Sequence, residues 1–238
     1  MRQQFLPDKF KIISGSVLKV IAVVTMIIDH IGVHLINRKI VLLQIGGHEL
    51  TLYSAMRDIG RLAFPIFCFL LIEGFLHTRS RKRYGISLFI FALVSEIPWN
   101  LEHTGTFLYE EQNVFFTLFL GYLGLCTIEY FKARPIVQFL SLLGLAALSV
   151  VLKTDYSISG YCFIILLYVL REYEVLRTFT APILSNYRFV LFAFLPISMY
   201  NGKRGFIKGK FLKYAFYVIY PLHIFIIYLI KANTIGFE

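Results

Sequence analysis

Apolar residues run through this chain in blocks separated by short polar turns. The blocks lie at roughly Ser16 to Ile36, Ile59 to Leu76, Tyr84 to Pro98, Asn113 to Phe131, Pro135 to Leu152, Ser157 to Leu170, Arg188 to Tyr200 and Phe211 to Ile230. Most approach the ~20 residues that a helix needs to cross a hydrocarbon core. The shorter ones would have to tilt or thin the bilayer. Strand-like alternation is weak, which argues against a β-barrel. The pattern predicts an all-α fold, a polytopic transmembrane helical bundle of about eight membrane segments with room for one re-entrant segment. No internal repeat and no stretch of soluble composition interrupts it, so residues 1–238 are expected to form a single integral membrane domain.

Composition agrees. Hydrophobic residues fill 58% of the 238 positions and charged residues 16%, and the mean hydropathy is +0.70. A soluble fold of this size could not cover so much apolar surface. The formal net charge of +10 resides in the turns between blocks, so it reads as topogenic charge and no nucleic-acid partner is expected. Cys68, Cys126 and Cys162 each sit inside an apolar block without ligand spacing and read as packing residues. No small-residue cleavage site follows the first block, which reads as a retained span rather than a signal peptide.

Charge also sets the orientation. The turn after the second block carries Arg79, Arg81, Lys82 and Arg83, whereas the next carries Glu102, Glu110 and Glu111 without Lys or Arg. The positive-inside rule makes the first turn cytoplasmic, the second external and the N-terminus cytoplasmic, in a multi-pass protein of the cell membrane. Lys132, Arg134, Arg171 and Arg177 then fall inside. Strict alternation of eight spans, however, places Lys203, Arg204, Lys208, Lys210 and Lys213 outside, against the same rule. Either a re-entrant Arg188 to Tyr200 block or one span fewer or more in the second half would remove the conflict.

Ionisable groups within apolar segments cost about 2.5 to 3.5 kcal/mol on insertion scales, so they mark bundle interiors or wet cavities. Here they converge on the external level. Asp29 and His30 end the first segment, Arg61 begins the second, Glu96 closes the third, Asn113 opens the fourth, and Asp155 with Tyr156 occupies a later external turn. A titratable ring beside charged groups suits proton transfer. Asp29 and His30 point about 100° apart on a regular helix, so the ring's partner is expected from another segment, with Glu96 the candidate. His30 and His34 share a face at metal-like spacing, but no third ligand stands out and no metal is expected.

The same residues form strings: Asp29-His30-Ile31-Gly32, Ile59 through Phe67, Glu73-Gly74-Phe75, Ser95-Glu96-Ile97-Pro98, Asn113 through Leu118, Tyr200-Asn201-Gly202-Lys203-Arg204-Gly205 and Tyr217 through His223. In these strings, spread in order over nearly the whole chain, the protein resembles the TraX family, membrane proteins named for N-terminal acetylation of conjugative pilin. The likeness weakens in the fifth segment and around Arg171 to Tyr187. TraX-like proteins look related to membrane acyltransferases of the acyltransferase-three type. The resemblance implies that an acetyl group passes from cytoplasmic acetyl-CoA to an amine or hydroxyl acceptor, a pilin-type N-terminus or a surface glycan, at or beyond the external face. On that reading His30 is the base or transient acyl carrier, Asp29 lies beside it, and Arg61 and Asn113 stabilise charge or position the acceptor. Glu96 orients the ring or receives an amine. The Asn201, Lys203 and Arg204 turn, flanked by glycines, suits the phosphates of coenzyme A. The competing reading is a small transporter or channel with an Asp/His/Glu proton relay, against which no inverted repeat is evident. A non-enzymatic assembly protein is a third reading, but it would not need a converged titratable cluster.

Overall fold

The computed structural model describes residues 5–46, 48–184 and 188–234. Helix α1 spans Gly15–Leu35, and an antiparallel hairpin of β1 (Val41–Ile45) and β2 (His48–Thr51) follows. Helices α2 (Leu52–Gly60) and α3 (Ala63–His77) are nearly continuous, broken only by the turn at Arg61 and Leu62. Then come α4 (Arg81–Thr104), α5 (Val114–Tyr130), α6 (Pro135–Val151), α7 (Ser157–Val169), the short α8 (Glu174–Thr180) and α9 (Phe194–Ser198), and finally α10 (Gly209–Thr234). Among the described residues, four stretches are long and apolar enough to cross a membrane: Gly15–Leu35, Leu52–His77, Arg81–Thr104 and Tyr214–Thr234. With these apolar helices the chain is a membrane protein, mostly helical as expected.

Local sequence explains where the helices begin and end. Ser14 caps α1 by accepting from the Val17 amide, Thr51 and Ser54 form a reciprocal capping box at α2, and Asn113 caps α5 through the Phe115 amide. Gly105, in the left-handed region at φ 68°, terminates α4. That helix departs from expectation by continuing past Pro98 to Thr104. A proline is tolerated in a membrane helix because neighbouring groups can re-satisfy the freed carbonyl. The extension carries Glu102 out of the predicted external loop and into the packed bundle, where its side chain is 2% exposed.

The bundle has two ends, which we call proximal, where α1 starts, and distal. The Arg188 to Tyr200 block does not cross between them. It consists of a 3-10 stretch at Arg188–Ala193 followed by α9. On one side of it, Glu174 accepts from the Phe5 amide and pairs with Lys11; on the other, Ile13 donates to the Met199 carbonyl and Asn201 to the Ile13 carbonyl. Both flanks are therefore proximal. The stretch Arg171 to Tyr187 runs into residues 185–187, which lie outside the described residues, as do the side chains of Lys210 and Lys213.

Packing in a bilayer depends on close approach, because lipid tails are as apolar as the helix faces. The pairing of α1 with α2 shows it. A Cβ at Gly32 would lie 2.8 Å from the Met56 Cβ, and one at Gly60 would collide with the Asp29 side chain. These two glycines bring Asp29 and the α2–α3 break together. A central core of Phe64, Cys68, Leu71, Phe75, Leu118, Leu125, Phe163 and Ile164 fills the space among α3, α5 and α7.

Candidate active site at the distal end

A cavity of about 450 Å³ opens among the distal halves of α1, α2, α3, α4 and the start of α7. Its lining includes Asp29, His30, His34, Arg57, Arg61, His103, Asp155 and Tyr156, with Val190 of the proximally anchored segment also reaching it. Asp29, His30 and Arg61, singled out in the sequence, thus meet in one place. Arg57 joins them: its Nη1 donates to Asp29 Oδ2 at 2.5 Å. Sequence reading passed over Arg57 because it lies outside the predicted apolar block, in the polar first part of what proves to be a continuous pass.

The partner of His30 is a histidine, not Glu96. His30 Nδ1 lies 2.6 Å from His223 Nε2, and the two rings stack at 4.9 Å with 8° between their planes. His223 Nδ1 is 2.9 Å from the Ile219 carbonyl. A carbonyl can only accept, so His223 carries its hydrogen on Nδ1 and presents Nε2 as an acceptor. His30 must then donate from Nδ1, which leaves its Nε2 as the nitrogen bearing a lone pair. The carbonyl–His–His chain fixes the tautomer of a ring that lines the cavity, as the partner of a catalytic imidazole should. His223 was visible only as the end of the Tyr217 to His223 string. The fold gives it meaning by bringing α10 against α1.

Glu96 and Asn113 serve elsewhere. Glu96 Oε1 accepts from the Asn113 amide at 3.0 Å and from Asn113 Nδ2, which also donates to the Ala92 carbonyl at 2.9 Å. The Asn113 Oδ1 accepts from the Phe115 amide. Asn113 is fully buried, its polar atoms are spent on capping α5 and binding α4, and neither residue lines the cavity. The expected roles in charge stabilisation and ring orientation are replaced by a staple between helices.

The Asn201, Lys203 and Arg204 turn sits far from this cavity, at the proximal end. Its carbonyls accept from the first turn of α1: Gly15 donates to Lys203 and Ser16 to Arg204, each at 2.9 Å. The Ser16 hydroxyl also donates to the Arg204 carbonyl at 2.8 Å and accepts from the Ile207 amide at 2.7 Å. Gly205, at φ 85°, permits the approach, since a Cβ there would press on Ser14 and Ser16. The Lys203 and Arg204 side chains remain exposed.

Asp155 lies in the turn between α6 and α7 and was treated in the sequence as part of the external layer only. It opens onto the cavity, and its side chain is exposed there. Desolvation by the cavity walls pushes its carboxyl up to about 7, the charges of Glu111 and Asp29 adding to the rise against the pull of Arg61 and Arg57. A carboxyl that titrates near neutrality in a cavity that also holds an imidazole is a feature of proton-transfer sites.

Comparison with known proteins places this arrangement. The TraX protein family matches residues 14–231. The chain belongs to the TraX family. A relative from Dichelobacter nodosus, named "Probable fimbrial assembly protein FimC, serogroup H1", is 27% identical over 242 residues, covering 89% of this chain and 93% of that protein. An uncharacterized protein of Rickettsia prowazekii (strain Madrid E) is 34% identical over 120 residues, 49% of this chain and 37% of its own length. No solved structure matches. The TraX match runs from Ser14, which caps α1, to Lys231 near the end of α10, so it includes both His30 and His223.

Proposed function

We propose that this TraX protein is a membrane-embedded acetyltransferase that moves an acetyl group from acetyl-CoA to an amine or hydroxyl presented at the distal cavity. The observation that carries the reading is the Ile219 carbonyl–His223–His30 chain, which prepares an unprotonated His30 Nε2 in a cavity that also holds Arg57 and Arg61. His30 takes the proton of the acceptor. The freed lone pair attacks the thioester carbonyl, and the C–S bond breaks. The coenzyme A thiolate leaves and recovers the proton from His30, giving acetylated acceptor and free thiol. Arg61 and Arg57 offer positive charge to the oxyanion that forms on the carbonyl oxygen, and Asp29 holds Arg57 in place. Asp155 supplies a second titrating group for the acceptor.

The family name's link to pilin acetylation and the fimbrial name of the Dichelobacter relative direct the acceptor search to a pilin-type N-terminus first and a surface glycan second. With the basic turns inside, the proximal end is cytoplasmic, which puts the exposed Lys203 and Arg204 where coenzyme A phosphates arrive and the cavity toward the external face of the bilayer. His30 lies fifteen residues into α1, about 22 Å from its start. The thioester must therefore reach deep into the bundle from the proximal side.

The test is acetyl-CoA turnover by the protein in proteoliposomes, read as coenzyme A release and as the mass of an acetylated peptide amine. Activity is expected, with His30→Ala lowering it at least about a hundredfold and Lys203→Gln with Arg204→Gln weakening coenzyme A binding. Absence of any acetyl-CoA binding or turnover, with proton flux through the same vesicles, would instead make the site a relay in a transporter.

A further inference from the structure

Beside the His30 chain, at the distal rim of the cavity, lies a second cluster that acyl transfer does not use. His34 Nδ1 is 2.6 Å from Glu102 Oε1 and His103 Nδ1 is 3.0 Å from Glu102 Oε2. Each residue offers one ligand atom, and these atoms all lie within 4.8 Å of one another. The groups come from two helices, His34 from α1 and the other two from α4, so the fold and not a local turn brings them together. The rings are held: His103 stacks on Tyr109 at 4.7 Å and lies 4.1 Å from Trp99, and His34 meets His103 edge-on at 5.4 Å.

One atom in the cluster is unsatisfied. Glu102 is 1% exposed, and its Oε2 has no hydrogen-bond donor. The nearby His103 Nδ1 donates to the Trp99 carbonyl at 2.9 Å, which leaves Nε2 as the His103 nitrogen open to an ion, and the Lys231 ammonium lies by the other oxygen, 3.4 Å from Oε1. A buried carboxylate oxygen without a partner costs the desolvation of a charged group. A cation shared with the two imidazoles removes that cost.

We propose that His34, Glu102 and His103 bind a zinc-type divalent cation. Two imidazoles and one carboxylate form the nitrogen and oxygen donor set that such ions take in three-ligand sites, where the fourth position is left for water or substrate. His34 and His103 both line the cavity, so the fourth position faces it. An ion held there would join α1 to α4 beside the cavity.

The experiment measures metal directly and does not depend on acetylation. Detergent-purified protein is stripped with chelator and titrated with zinc, and separately with cobalt. One equivalent of zinc is expected to bind and raise the thermal midpoint, and cobalt is expected to give the strong visible absorption of a four-coordinate site. Glu102→Gln and His34→Gln should each weaken zinc binding by more than about a hundredfold. His77→Gln, at the proximal end, should not change it. Lys231→Gln should tighten binding, because it removes a competing positive charge from Glu102. Failure of the wild-type protein to bind zinc or cobalt stoichiometrically overturns the proposal, and so does undiminished binding in both Glu102→Gln and His34→Gln.

Discussion

At the scale of single residues, the site turns on which nitrogen of His30 is unprotonated, and that is decided by a carbonyl two residues' contacts away. On the proposed mechanism His223 is therefore a positioning residue. His223→Ala should lower acetyl transfer about ten- to hundredfold, in the range for losing a group that orients an imidazole. It should also move the midpoint of the pH–rate profile. His223→Gln, whose amide oxygen can still accept from His30 Nδ1, should recover part of the loss; a purely structural role for His223 would leave the profile in place. Asp155 makes a different prediction. In the unfolded chain it ionises near 3.8, in the folded protein only near about 7. Between those values the folded state keeps a proton that the unfolded state has lost, so stability falls as pH rises through the window and levels off above it. Thermal midpoints measured across that window should decline in the wild-type protein and lose most of that slope in Asp155→Asn. Asp29, His30 and Arg61 were legible in the sequence because each interrupts an apolar segment where polarity is expensive. His223 does so too, but with no charged neighbour to draw attention to it. Arg57 and Glu102 escaped because the apolar blocks mark where side chains face lipid, not where helices end.

At the scale of elements, the lesson is that the ends of apolar blocks and the ends of helices differ. Glu96 and Asn113 were read as members of the polar layer, yet the asparagine closes α5 at its cap and ties it to α4 through Glu96. Both readings use the same fact, a polar residue at a block boundary, and only the pairing of helices chooses between them. Asn113→Ala removes the cap and the side-chain donor to the Glu96 carboxylate, leaving it the backbone amide of residue 113. The cap alone is worth about 0.5 to 2 kcal/mol. A lower thermal midpoint is expected, with the remaining folded protein still binding coenzyme A, as measured by differential scanning fluorimetry and a binding assay on the same sample. The break between α2 and α3 has the opposite character. Gly60 lets α2 approach Asp29, so Gly60→Leu should displace the Asp29–Arg57 pair and reduce turnover while the more remote proximal turn keeps its coenzyme A affinity.

For the whole molecule, connectivity bears on a conflict that the sequence left open. The elements that run between the two ends are α1, the α2–α3 pair, α4, α5, α6, α7 and α10. Between α7 and α10 the chain leaves and rejoins the proximal end, held there by the contacts of Glu174 with Lys11 and of Ile13 with Met199 and Asn201. The turn carrying Arg79, Arg81, Lys82 and Arg83, the pair Lys132 and Arg134, the pair Arg171 and Arg177, and the cations Lys203, Arg204 and Lys208 consequently share one end. Glu110, Glu111 and Asp155 lie at the other, where the bridge between Gln112 and Thr154 joins the two distal turns. The alternating count of eight spans could not give this separation, because it moved Lys203 and its neighbours outside. On the function proposed above, the positive-inside rule assigns the proximal end to the cytoplasm. In cells carrying a variant without its native cysteines, a cysteine at Gly105 should react with an impermeant thiol reagent, whereas one at Gly202, which lies in the proximal turn and has no atom within 4 Å of an added Cβ, should react only after the membrane is opened. Labelling of both positions in intact cells would put the Lys203 turn on the external side and remove it from the path of cytoplasmic acetyl-CoA. Labelling of Gly202 alone would invert the bundle, and the cavity holding His30 would then open toward the cytoplasm, where an external acceptor could not reach it.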